Sequence, residues 1–113
     1  MPYAEQTFSA KNYEKMPQKI YISGPISGLD KEYVEKRFSD AKNYLTGVGL
    51  HPISPLENGL PETASYEAHM AKDIEMLSGC SSIYMLDGWQ KSNGCKVEFA
   101  HAVANKITII FEQ

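Results

Sequence analysis

Two cysteines in 113 residues, Cys80 and Cys95, lack a C-x-x-C spacing and have no cluster of His and Cys around them, so neither a disulfide scaffold nor a zinc site is expected. Both read as reduced thiols. Lys and Arg never gather into a block and the formal net charge is −3, so the counterion release that drives binding to long nucleic acids has little to draw on. A small ligand fits better than a polymer. No apolar run approaches the roughly 18 residues of a membrane span, and the opening MPYAEQTFSAKNYEK lacks the apolar stretch of a signal peptide, which points to a cytoplasmic protein without a membrane partner. Internal repeats and low-complexity tracts are missing too.

What is present suits one globular domain: hydrophobic residues make up 42% and charged residues 22% of the chain. A chain of this length can build a single core but has little left to enclose a ligand, so a homo-oligomer whose subunits share active sites is expected. Residues 1–17 are polar with scattered aromatics and fit neither helical nor strand spacing; they read as an N-terminal arm ahead of a domain over 18–113.

From Lys19 the pattern sharpens. Ile20, Tyr21 and Ile22 form a short apolar run that stops at Ser23-Gly24-Pro25, the mark of a buried strand entering a loop. Asp30 can cap a helix to about Thr46, with Tyr33, Val34, Phe38, Ala41 and Leu45 near helical spacing and Gly47 and Gly49 as stops. A short strand at about 49–53 leads into a loop with Pro52, Pro55, Gly59 and Pro61, then a helix over about Ser65 to Leu77. Ser82 to Leu86, Gly94 to about Asn105 and Ile107 to Phe111 supply a strand, a helix and a strand. This βαβαβαβ order predicts an α/β fold: a flavodoxin-like or Rossmann-like three-layer sandwich with a four- or five-stranded, mainly parallel sheet. In that arrangement the first and third strands are neighbours and ligands bind beyond their carboxyl ends, here Ser23-Gly24-Pro25 and Asp87-Gly88-Trp89.

Three carboxylates stand where chemistry could happen, each with a plainer explanation beside it. Tyr66, Met70, Asp73 and Leu77 follow a 4, 3, 4 spacing, so Asp73 lies on the apolar stripe of its helix and needs a partner, either a substrate or a structural hydrogen bond. Asp87 closes the third strand at the ligand edge, although Asp-Gly is also an ordinary turn dipeptide. Glu98 falls in the first turns of the third helix, where the dipole favours an ionised carboxylate fit for nucleophilic work, and Val97 and Ala100 beside it make burial plausible; surface glutamates are equally common there. Glu98 and His101 form one E-x-x-H pair, half of a di-metal ligand set, but a single copy outside a helical bundle calls for no metal. The loops Ser23-Gly24-Pro25-Ile26-Ser27-Gly28 and Ser92-Asn93-Gly94 could approach a phosphate or sugar, yet neither matches G-x-G-x-x-G or a P-loop. His51 and His69 belong to no evident constellation.

Taken together, KIYISGPISGL, SYEAHMAKDIEML and IYMLDGWQKSNGCKVEFAHA resemble the nucleoside 2-deoxyribosyltransferase family, in particular a compact branch found in bacteria and phages. The resemblance spans roughly residues 19–111. It implies that Glu98, closing an S-x-G-x-x-x-E segment, is the nucleophile, that Asp73 and Asp87 handle the base and its proton, and that Tyr21 holds the nucleophile. It further implies substrate contacts from Ser23, Gly24, Pro25, Ile26, Met70, Trp89, Ser92 and Gly94, with Ser92 placed as the phosphate-binding serine of relatives that hydrolyse nucleoside 5′-monophosphates. No cofactor or metal is required. The implied reaction cleaves the N-glycosidic bond of a 2′-deoxynucleoside or its 5′-monophosphate through a deoxyribosyl-glutamate, with the sugar passed to another base or to water. No arginine follows Gly24, as it does in some monophosphate hydrolases. The competing expectations are a non-catalytic nucleotide-binding module, acting as sensor or sponge on the same fold, and a structural subunit of a larger assembly.

Overall fold

Apolar runs such as Ile20–Ile22 and Ile83–Leu86, unbroken by polar residues, can be satisfied only in the middle of a sheet covered on both faces. The computed structural model describes residues 17–113, so all of the N-terminal arm read at 1–17 except Pro17 lies outside the described residues. The chain runs through β1 (Lys19–Ser23), α1 (Lys31–Gly47), β2 (His51–Ile53), α2 (Tyr66–Ser78), β3 (Ser82–Met85), α3 (Asn93–Ala104) and β4 (Thr108–Phe111). Single 3-10 turns at Pro55–Glu57 and Trp89–Lys91 punctuate the loops after β2 and β3.

The four strands are parallel in the order β2-β1-β3-β4, with Tyr21 opposite Ile83 and Ser23 opposite Met85. The α/β, flavodoxin-like expectation holds, with four strands. The order reverses between β1 and β3, which opens a ligand crevice beyond their carboxyl ends.

Strand alternation divides the interior into two cores. Ile20, Ile22, Tyr84 and Leu86 face α1 and pack on its stripe of Val34, Phe38, Ala41 and Leu45. Tyr33, which the spacing also suggested for that stripe, is exposed at 52%. On the opposite face Tyr21, Ile83 and Met85 meet Leu77 of α2 and Cys95 and Ala102 of α3. Each helix begins on a side-chain cap: Asp30 accepts from the Tyr33 N–H at 3.0 Å, Ser65 from Ala68 at 3.0 Å and Ser92 from Cys95 at 3.2 Å. Among the described residues no helix is long and apolar enough to cross a membrane.

A second tie joins the end of β4 to the rest. Arg37 Nη2 lies 2.8 Å from Glu112 Oε1, the same oxygen accepts the Asp87 backbone N–H at 2.7 Å, and the Arg37 guanidinium reaches the Asp87 carbonyl oxygen at 3.4 Å. This knot fixes α1, the loop after β3 and the segment after β4 to one another.

The bend from β1 into its loop depends on a close approach. A Cβ at Gly24 would lie 2.5 Å from Leu86 Cδ1 and 3.2 Å from Leu86 Cβ, and Leu86 is itself only 1% exposed and cannot swing away. Gly24→Ala is therefore expected to destabilise the protein by roughly 1–3 kcal/mol, the range for overpacking a filled core. Urea denaturation at neutral pH reads this directly, and a variant as stable as the parent would show that β1 and β3 can part without cost.

Candidate active site

Because Tyr21 and Ser23 are two residues apart on β1, their side chains leave the sheet on the same face, the one covered by α2 and α3. That face receives Glu98. Along α3 the buried positions are Cys95, Glu98 and Ala102, while Val97 and Ala100, the neighbours that made burial plausible, point to solvent. The small side chains on either side of Glu98 let the helix lie close to the sheet. Tyr21 donates its hydroxyl to Glu98 Oε2 at 2.6 Å, and Ser23 donates to Oε1 at 2.7 Å. Each carboxylate oxygen is thus held by one hydroxyl from β1.

Glu98 is only 5% exposed. Its position near a helix start predicts an easily ionised acid, but the structure reverses the balance. Burial, with a smaller push from the charge of Asp73, raises its pKa from 4.5 to about 7, against the opposing pull of the Tyr21 and Ser23 hydroxyls. The same burial, with Glu98 beside it, drives the Tyr21 phenol far above its ordinary range and keeps it a hydrogen-bond donor.

Glu98 opens onto a cavity of about 650 Å³ at the carboxyl end of β1. Asp73 also reaches it, as do Gly24, Ile26, Met70, Ser92 and Gly94 from the sequence-derived set. Tyr21 and Ser23 sit behind Glu98 as its support. Pro25, Asp87 and Trp89 are not among the residues lining this cavity. Asp87 is exposed at the end of β3 and is anchored through its backbone by Arg37 and Glu112. Trp89 stacks on Phe99, with ring centroids 4.6 Å apart, and on Phe111 at 6.1 Å.

Asp73, 6% exposed, has the partner its position on the apolar stripe demands. Asn58 Nδ2 donates to its Oδ1 at 3.0 Å. Burial raises the Asp73 pKa, and the Asn58 hydrogen bond and nearby His69 partly counter that. Asn58 and His69 are the cavity residues beside Asp73 that sequence reasoning left out of the site. The available signal was the combination of a Pro- and Gly-rich loop with a buried carboxylate that had to be met from somewhere. Ser92 has a structural duty as the α3 cap. His101 lies away from Glu98, with Nε2 2.8 Å from Ser78 Oγ, and among the described residues no group of three or more His, Cys, Asp or Glu is arranged to hold a metal.

The family model described as "Domain of unknown function (DUF4406)" matches residues 18–111. The chain belongs to this family. Among solved structures the DUF4406 domain is similar to a 2-desoxiribosyltransferase from Leishmania mexicana, at 20% identity and a TM-score of 0.66 over 84% of this chain. The chain covers 63% of the length of that protein, and the likeness establishes a deoxyribosyltransferase-like fold. No curated protein matches the sequence.

The raised Glu98 pKa has a consequence for stability. The unfolded chain releases this proton near pH 4.5 and the folded one only near 7, so between those values the folded state holds a proton that the unfolded state has lost. Rising pH therefore weakens the fold across this window, by about 3 kcal/mol once both forms are ionised. Glu98→Gln has no such proton, and its stability relative to the parent should climb by that order between pH 5 and pH 8 in parallel urea titrations. Curves that keep a constant separation would refute a buried, late-ionising Glu98.

Proposed function

We propose that this protein cleaves the N-glycosidic bond of 2′-deoxynucleosides by double displacement, with Glu98 as nucleophile and Asp73 serving the leaving base. The observation that carries this reading is the Glu98 carboxylate, buried at the cavity and steadied by hydroxyls on both oxygens. A carboxylate paired with a cation would be a structural ion; one held only by neutral donors keeps its charge for a reacting carbon.

In the first step a Glu98 oxygen attacks C1′ as the C1′–N bond breaks, the bonding pair leaves with the base, and Asp73 supplies the proton that neutralises it. In the second, a water or another base attacks C1′, returns a proton to Asp73 and frees Glu98. Hydrolysis and transfer share the first half-reaction. The absence of a 2′-hydroxyl eases the oxocarbenium-like transition state, which favours deoxyribose. Asp73 takes precedence over Asp87 as the acid because it lines the same cavity as Glu98.

The charge in the cavity favours a nucleoside over its 5′-monophosphate. Lys31 is the one Lys or Arg lining it among the described residues, and its ammonium is already 2.8 Å from Glu62, while Glu35 and Glu98 add carboxylates. Free N–H groups at the start of α3 would attract an anion by about 0.3–1 kcal/mol. A carboxylate roughly 10 Å away repels each phosphate charge by about 1–2 kcal/mol at an effective dielectric of 20, so repulsion wins.

Glu98→Ala is expected to lower kcat by at least ~10⁴-fold while leaving ligand affinity largely intact, because the carboxylate acts mainly in the transition state. A slow 2-fluorinated deoxyriboside should add one sugar mass to the peptide that contains Glu98, whereas a binding module would gain none and would keep its affinity in the variant. For the active protein, kcat/KM should pass through a maximum with pH, because the reaction needs Glu98 ionised and Asp73 protonated at once, and one limb of the profile should inflect near 7, where Glu98 titrates. The protein's kcat/KM should also be at least roughly 10-fold higher for a deoxynucleoside than for its 5′-monophosphate, a ratio that follows from the charges above. A preference for the monophosphate would overturn the charge argument and leave the nucleophile assignment standing.

A further inference from the structure

Asn58 is 6% exposed, and its amide is committed on every side. Oδ1 accepts the Leu60 backbone N–H at 3.0 Å. Nδ2 donates to Asp73 Oδ1 at 3.0 Å and faces His69 Nδ1 at the same distance. On the far side of the ring, His69 Nε2 lies 3.1 Å from the Pro61 carbonyl oxygen. A carbonyl can only accept, so Nε2 carries the ring hydrogen and Nδ1 presents a lone pair to Asn58. One orientation of the amide satisfies all three of its contacts. Turned over, it would set its oxygen against the Asp73 carboxylate and the Nδ1 lone pair, and its NH2 against the Leu60 N–H.

The consequence falls on Asp73. Its Oδ1 receives an N–H from Asn58, and a proton placed on that oxygen would contest the bond. A proton on Asp73 therefore belongs on Oδ2. We propose that Asn58 is a positioning residue, locked by His69, that makes Oδ2 the oxygen from which Asp73 delivers its proton to the leaving base. This rests on the role given to Asp73 above. A carboxylic acid with two equivalent oxygens would spend part of its time with its proton on the wrong one; the Asn58 amide removes that ambiguity before substrate arrives.

The test compares substrates that do and do not need the proton: a natural purine deoxynucleoside, and a 4-nitrophenyl 2-deoxyriboside whose phenolate leaves unaided. Asn58→Ala should lose roughly 10²-fold in kcat/KM on the first, the scale of general-acid catalysis, and under about 3-fold on the second. His69→Phe, which keeps the Asn58 to Leu60 bond and guards against a misfolded loop, should show the same split to a smaller degree. Equal losses on both substrates in these variants would mean that Asn58 merely holds the loop, and would overturn the proposal. Carbon-13 NMR titration of the Asp73 carboxyl gives a readout independent of turnover: its pKa should move up in Asn58→Ala as the N–H is withdrawn, and an unchanged titration overturns the proposal. If the parent protein cleaves neither deoxyriboside, the proposed function fails, and the titration alone then decides whether Asn58 governs the Asp73 proton.

Discussion

A carboxylate taken out of water has to be compensated where it stands, and for Glu98 the compensation comes from the central strand. Two hydroxyls two residues apart on β1 reach the two oxygens of one carboxylate at 2.6 and 2.7 Å, which requires the strand to be extended, α3 to lie close above it, and Glu98 to face inward. Each requirement is met by something elsewhere in the molecule. β1 is held extended between β2 and β3, α3 can approach because Cys95 and Ala102 are small, and Ser92 starts that helix at the register that turns Glu98 toward the sheet. The hydrogen bonds only partly offset desolvation, which is why the acid remains hard to ionise.

The second carboxylate is held differently. Asp73 comes from α2, and its partner comes from an irregular loop rather than from the sheet. Glu98 is held across a helix–sheet contact by two strand hydroxyls, and Asp73 by a loop amide that is fixed in turn by His69 and the Leu60 N–H.

Much of this was legible in the chain. Runs such as Ile20–Ile22 and Ile83–Leu86 announced strands, the cap at Asp30 announced a helix, and the 4, 3, 4 spacing turned Asp73 inward. The boundaries moved by a residue or two, as frayed ends do. Less legible was anything that depends on two distant segments meeting. Local spacing suggested Glu98 as an ionised group at a helix start, whereas its burial follows from the packing of α3 on β1, 75 residues earlier at Ser23. Asn58 and His69 carried no periodic signal, because a loop residue owes its place to its partners and not to a repeat. Asp87 and Trp89 sit next to the ligand edge in sequence, but Asp87 is tied through its backbone to Arg37 and Glu112, Trp89 stacks on Phe99 and Phe111, and neither lines the cavity.

The division of the interior into two cores separates what the protein can change from what it cannot. The Ile20, Ile22, Tyr84 and Leu86 face with its α1 partners contains no charged side chain, and apart from Val34, which also lines the cavity, its demands are volume and shape alone. Substitutions there can accumulate in compensating pairs without touching the Glu98 network, whereas the other face carries Tyr21, Ser23 and Glu98 themselves. Such a sheet lets a lineage drift on one side while the buried carboxylate network stays fixed on the other, and it gives an engineer a face on which to add stability away from that network.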